Sequence, residues 1–208
     1  MIDIASHLTA VHREVALRTT DSGDMVSAVL RRHYDAPALD VWGAITEPDR
    51  IRRWFLPLTG DLRAGGSFQL EGNAGGSILH CEEPHRLSVT FGGPTSTVDV
   101  RLTETDGTTT LELTHTVPIE IARSGAGALF VGPGWDGALM ALALFTAGEV
   151  IDDPVAAGNS LEAQEFSRQS VAAWACVIEE SGTAEQSEIA AMTEMSLAQF
   201  APDLSTTT

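Results

Sequence analysis

Residues 96–116, STVDVRLTETDGTTTLELTHT, decide the fold. Val98, Val100 and Leu102 alternate with Asp99 and Arg101, and after Asp106-Gly107 the side chains of Leu111, Leu113, His115 and Val117 share a second alternating face. Period-two alternation describes a half-buried strand, and an Asp-Gly pair between two such runs describes a tight hairpin turn. The same texture extends upstream to Gly60. Brief runs are punctuated by Gly65-Gly66, Gly72 to Gly76, Pro84 and Gly92-Gly93-Pro94, and they place Phe68 and Leu70, then Leu87, Val89 and Phe91, on a single face. Gln69, Glu71, Asp99, Arg101 and Glu112 fall on the opposite face, so this antiparallel meander needs a cover on one side only.

The cover is the segment Gly134 to Val150, GWDGALMALALFTAGEV, which follows Gly132-Pro133 and is apolar nearly all round through Trp135, Leu139, Leu142 and Phe145. Ahead of the meander, Ala28 to Tyr34 reads as a strand. Asp35-Ala36-Pro37 opens a helix through Leu39, Val41, Trp42 and Ile45, and a second short helix runs from Pro48 to Trp54. Ile4, Leu8, Val11 and Val15 at helical spacing after Asp3 predict an N-terminal amphipathic helix over 1–20. Beyond Asp152-Asp153-Pro154 an Ala- and Glu-rich stretch predicts a helical annex over 155–201, with segments Glu162 to Glu179 and Glu185 to Phe200. The remainder, 202–208, reads as a disordered tail. The expected organisation is thus an α+β domain over 25–150 flanked by helical additions.

Composition narrows the chemistry. The 208 residues carry 12 arginines, no lysine and 29 acidic residues, for a formal charge of -17. Such a surface repels phosphate backbones and anionic lipid, so no nucleic-acid or membrane partner is expected. The absence of lysine removes Walker-type phosphate loops and Schiff-base catalysis. Cys81 and Cys176 form no CxxC and no disulfide framework, there is no signal-peptide pattern, and the longest apolar run, Ala138 to Phe145, is too short for a membrane span; a cytoplasmic setting fits.

Five segments taken in order resemble a known family: DAP before a VW helix at 35–42, PDRIRRWF at 48–55, the Gly65-Gly66 turn, EPHRL at 83–87 and TTLELTH at 109–115. Over about Val26 to Val150 they are similar to the SRPBCC (START-like) superfamily, in its branch similar to activator of Hsp90 ATPase homologue 1. The resemblance implies a helix-grip architecture of the START/Bet v 1-like kind: a curved antiparallel sheet wrapped around a long C-terminal helix, with a cavity between them.

Ligand sites are mostly apolar hollows with a few convergent polar groups, so the candidate site lies on that inner face. Its expected lining is Phe68, Leu70, Leu87, Val89, Phe91, Val98, Val100, Leu111 and Leu113 from the sheet and Trp135, Leu139, Leu142 and Thr146 from the helix, with Trp54 and Phe55 at the mouth. His115 shares the face of Leu111 and Leu113 and is the polar residue to watch. Arg32 shares parity with Leu30 and Tyr34 and could anchor a carboxylate, though the plainer expectation is an arginine reaching water at a strand edge.

Other motifs fail on context. His80-Cys81-Glu82-Glu83-Pro84-His85 crowds five potential ligands together, but on a strand His80 and Cys81 face opposite ways, so no metal is assigned. Gly132-Pro-Gly134-Trp-Asp-Gly137 spells GxGxxG at a helix start, yet no parallel strand with a terminal acid follows, and Trp135 stands where pyrophosphate would lie; no cofactor is assigned. The leading expectation is a binding protein for a small apolar or amphipathic molecule rather than an enzyme. Two alternatives stay open: a polyketide cyclase or aromatase-like enzyme moving protons with His115 or Arg32, and a chaperone-associated interaction module using the acidic surface or the annex. A homodimer is the other partner left open.

Overall fold

The computed structural model describes residues 2–21 and 23–204. In chain order, helix α1 (Ile4–Thr9) leads into strands β1 (Val11–Thr20) and β2 (Gly23–Tyr34), then helices α2 (Ala38–Thr46) and α3 (Pro48–Ile51). The meander follows as β3 (Leu58–Gly60), β4 (Ser67–Leu70), β5 (Gly75–Glu82), β6 (Arg86–Thr90), β7 (Thr97–Thr105) and β8 (Thr108–Pro118). Helix α4 (Ile119–Ala122), a 3-10 helix at Gly125–Phe130, α5 (Gly132–Thr146), α6 (Pro154–Gly158), α7 (Leu161–Ser181) and α8 (Gln186–Phe200) complete the chain. The strands form one sheet in the order β1-β2-β8-β7-β6-β5-β4-β3, and the class is α+β as the sequence predicts. Among the described residues no helix is long and apolar enough to cross a membrane.

The chain divides into two compact units. One comprises Met1–Leu30, Thr116–Ala138 and Ala156–Thr208, the other Arg31–His115 and Leu139–Val155. The division falls inside β2, β8, α5 and α6, so the N-terminal and C-terminal segments join 116–138 in one unit.

In the Arg31–His115 and Leu139–Val155 unit, β3 to β7 are antiparallel neighbours, with Val89 opposite both Ile78 and Val98, and Leu87 opposite both Cys81 and Val100. The β7–β8 turn puts Asp106 and Gly107 at φ 52 and 80, the pair of positive values that a type I′ turn requires. Glu104 of β7 accepts a hydrogen bond from the Ala38 amide at 2.7 Å and so caps α2, where Pro37 offers no side-chain oxygen. The Tyr34 hydroxyl donates to the Leu139 carbonyl at 3.1 Å, tying α5 to the end of β2.

In the other unit the predicted helix over 1–20 stops at Thr9, and Val11–Thr20 is a strand. Val11 and Val15 satisfy helical spacing, but they also alternate with an inward Arg13 whose charge hides the period of two. β-Branched Val and Thr at 11, 15, 19 and 20 favour the strand. Asp3 does cap α1, accepting from the Ser6 amide at 3.0 Å. Arg13 donates to Asp136 of α5 at 2.8 Å, and the same Asp136 oxygen accepts from Ser170 at 2.5 Å and from the Trp174 indole at 3.0 Å, both on α7. Burial pushes the Asp136 carboxyl up, against the pull of Arg13, Ser170 and Trp174.

Phe166, Trp174 and Ile178 are fully buried along α7, and Ser196 of α8 donates to the Leu129 carbonyl at 2.7 Å. Ala201, the last residue of the expected annex, is fully buried, and in the stretch expected to fray Asp203 exchanges two hydrogen bonds of 2.8 and 2.9 Å with Gln164. Residues 205–208 of that stretch lie outside the described residues.

Candidate functional site: the inner face of the meander

Within the Arg31–His115 and Leu139–Val155 unit the inner face has two regions of different texture. Around β7, β8 and the second half of α5 it is closed: Val98, Val100, Leu111, Leu113, Leu139 and Leu142 are all buried. On β4 and β6 the closure is partial, with Leu70 and Val89 buried but their neighbours on the same face not. Phe68, Leu87 and Phe91, of the same parity, are only half-buried, as is Phe55. The register explains part of this, because Phe68 lies opposite Gly76, which has no side chain to cover its ring.

Phe68 turns instead towards Phe91, the rings stacking at 6.3 Å between centroids. Phe91 in turn meets the His115 imidazole edge-on at 5.8 Å, and His115 Nε2 lies 2.8 Å from the Ser96 hydroxyl. The site is therefore a half-covered aromatic shelf ending in a polar pair. His115 itself is only 4% exposed, and burial lowers its pKa to about 4, so near neutral pH it is an uncharged hydrogen-bonding ring.

The remaining predicted residues divide. Trp54 does not rim an opening: it is buried, stacks on Phe55 at 5.4 Å, and donates its indole N–H to the Ala44 carbonyl at 3.0 Å. A large ring that finds both a partner for its N–H and a neighbour to stack on is held inside. Thr146 is half-buried, but its hydroxyl donates back to the Leu142 and Ala143 carbonyls of its own helix. Trp135 is half-buried and belongs to the other compact unit.

Arg32 corrects the expectation of an arginine reaching water: it is 6% exposed and sits 5.9 Å from the Tyr34 ring centre. Burial raises the Tyr34 phenol above its ordinary value, with the Arg32 charge pulling the other way. Arg31 pairs with Glu112 and His33 with Thr110, which sets Arg32 across from Leu111, four residues along β8 from His115. At about 3.3 Å per residue that is roughly 13 Å, too far for Arg32 and His115 to act on the same bond. Among the described residues no three His, Cys, Asp or Glu side chains gather to hold a metal.

Two participants escaped the sequence reading. Ile78 is buried opposite Val89, and Ser96 faces His115. Ser96 was detectable by counting back two positions from Val98. It hid because Gly92-Gly93-Pro94 reads as a turn.

Comparison with known proteins places this geometry. Among curated proteins none matches the chain. The crystal structure of CalU16 from Micromonospora echinospora is 40% identical, covers 81% of this chain and 98% of its own, and superposes with a TM-score of 0.68. The solution NMR structure of CalU16 gives 39% identity, 83% and 97% coverage and a TM-score of 0.69. DynU16, from the dynemicin biosynthetic locus, is 25% identical over 59% of this chain and 47% of its own, with a TM-score of 0.52. These likenesses carry the helix-grip fold over. The model of the activator of Hsp90 ATPase homolog 1-like proteins matches residues 35–145, the helix pair and meander that build the aromatic shelf, and to that SRPBCC-type family the chain belongs.

Proposed function

We propose that the chain binds a small apolar or amphipathic molecule on the Phe68–Phe91 shelf, with His115 and Ser96 fixing its polar end. The observation that carries this reading is the unfinished burial of one continuous apolar face. The face that buries Val89, Val98 and Leu113 leaves Phe68, Leu87 and Phe91 half-covered beside a buried, uncharged imidazole. Covering the two rings would remove apolar area from water at about 25 cal/mol per Å². A hydrogen bond to His115 or Ser96 would orient the guest. The setting of DynU16 in a biosynthetic locus supports a small molecule as the guest.

A cyclase-like reading would make His115 a general base, but Arg32, the cation of the inner face, is roughly 13 Å away along the strands, so binding is favoured over proton shuttling. The test is native mass spectrometry and thermal shift with two probe classes, a long-chain fatty acid and a fused-ring aromatic. Saturable stabilisation by either, lost in Phe91→Ala, supports the reading. Absence of a shift from both classes overturns it.

A further inference from the structure

A second cleft, separate from the aromatic shelf, lies in the same unit between α3 and the end of α5. Its volume is about 270 Å³ and its walls include Arg52, Arg53, Phe145, Glu149 and Asp152. That is just under the usual range of ligand sites, about 300–1,000 Å³.

The charges around this cleft are arranged unevenly. Three of the chain's twelve cations, Arg50, Arg52 and Arg53, fall within four positions. Arg50 reaches Asp40 at 3.9 Å and Arg52 reaches Asp49 at 3.1 Å. Arg53 has no carboxylate within ion-pair distance among the described residues; its guanidinium carbon stands 5.2 Å from the Phe145 ring centre, and that of Arg50 5.9 Å from it. A cation held over a ring needs no N–H donor for that contact, so the donors of Arg53 stay available to an anion. Glu149 and Asp152 line the same cleft and likewise pair with no cation among the described residues. The carbonyl end of α5, which stops at Thr146, adds partial negative charge on their side.

Opposite charges sharing one cleft without closing on each other leave a gap for a ligand carrying both signs. We infer that this cleft takes an amino-acid-sized zwitterion, its carboxylate on Arg53, its ammonium towards Glu149 and Asp152, and its hydrocarbon part along Val150 and Ile151 of the same lining. An anion alone would meet the two carboxylates, and a cation alone would meet Arg53. Only a ligand with both groups satisfies both walls.

The test uses the full chain and L-phenylalanine, with its methyl ester and its N-acetyl derivative as single-charge controls, followed by NMR chemical-shift titration. The expected result is saturable binding of the amino acid, with shifts confined to 50–53 and 145–154. Each derivative, and each of Arg53→Gln and Glu149→Gln, should weaken it about tenfold, the loss of one charge-assisted hydrogen bond. His115→Asn should leave it unchanged, which separates this site from the aromatic shelf. Equal binding of either derivative, equal binding by Arg53→Gln, or no saturable binding of L-phenylalanine at millimolar concentration overturns the inference.

Discussion

Arg13 Nε donates to Asp136 Oδ2 at 2.8 Å although 123 positions separate the two residues, and their side chains are 7% and 0% exposed. The guanidinium also donates from Nη1 to the carbonyls of Leu8 and Val11, so a single side chain fixes the end of α1, the start of β1 and the first turns of α5. Asp136 gathers Ser170 and Trp174 on the same oxygen and adds α7 to the set. A buried ion pair of this kind contributes little net stability compared with an apolar substitute, but it is costly to break from one side, because the surviving charge stays buried.

Asp136→Ala should therefore destabilise the protein by about 3–5 kcal/mol, since it strands Arg13 and removes the acceptor of two further hydrogen bonds. Urea unfolding measures this. The double change Arg13→Met with Asp136→Leu should recover much of the loss. A single-variant cost below about 1 kcal/mol would show that the pair is not what holds these elements.

His115 makes stability depend on pH with a definite sign. Its folded value of about 4 lies below the ordinary 6.5, so the unfolded chain binds the proton more readily. The contribution is fully present above 6.5 and is lost as pH falls towards 4, reaching about 3 kcal/mol in all and about 2 kcal/mol by pH 5. Comparing wild type with His115→Asn between pH 7.5 and 5 isolates the effect, because the lost Ser96 contact is a constant offset. The stability advantage of wild type over the variant should shrink as pH falls. A pH-independent difference would mean that His115 titrates as it does in the unfolded chain.

How far the sequence carried these conclusions depends on where polar residues face inward. From β4 to β8 the alternation was legible because Val98, Val100, Leu111 and Leu113 leave no doubt about which face is apolar, and His115 followed by counting. The helix expected through Val15 and the water-reaching Arg32 go wrong for one shared reason. Arg13 and Arg32 are cations on buried strand faces, and a charge reads as solvent-exposed unless its partner is known. The partner of Arg13 lies on α5, 123 positions away. Trp54 was misplaced because its indole acceptor, the Ala44 carbonyl, is a backbone group that no side-chain pattern reveals.

Gly132→Ala should be poorly tolerated. A methyl group at Gly132 would fall 2.4 Å from Cε2 and 2.6 Å from Nε1 of Trp174, a fully buried ring held by its bond to Asp136. The ring cannot retreat without losing that bond, so the expected cost is about 1–3 kcal/mol or more, with a change in tryptophan emission. Unchanged thermal unfolding together with unchanged emission would show that Trp174 has room to move.

The link between Gln164 and Asp203 holds the end of the described chain to α7. The Asp203 amide donates to Gln164 Oε1 at 2.9 Å, while Gln164 Nε2 donates to Asp203 Oδ2 at 2.8 Å and to the Asn159 carbonyl at 3.1 Å. One side-chain amide therefore satisfies groups on both sides of α7's first turns, and it is itself only 5% exposed. Gln164→Leu keeps the approximate volume and removes all three bonds, at a cost of about 1–3 kcal/mol. The loss should be local before it is global, because Ala201 packs fully buried beside the link while Trp174 and Ile178 anchor the far part of α7 independently. Limited proteolysis should then cut the variant near 201–204 well before the midpoint of its thermal unfolding, and wild type should resist there. Equal cleavage of the two proteins would show that Ala201 alone retains the segment.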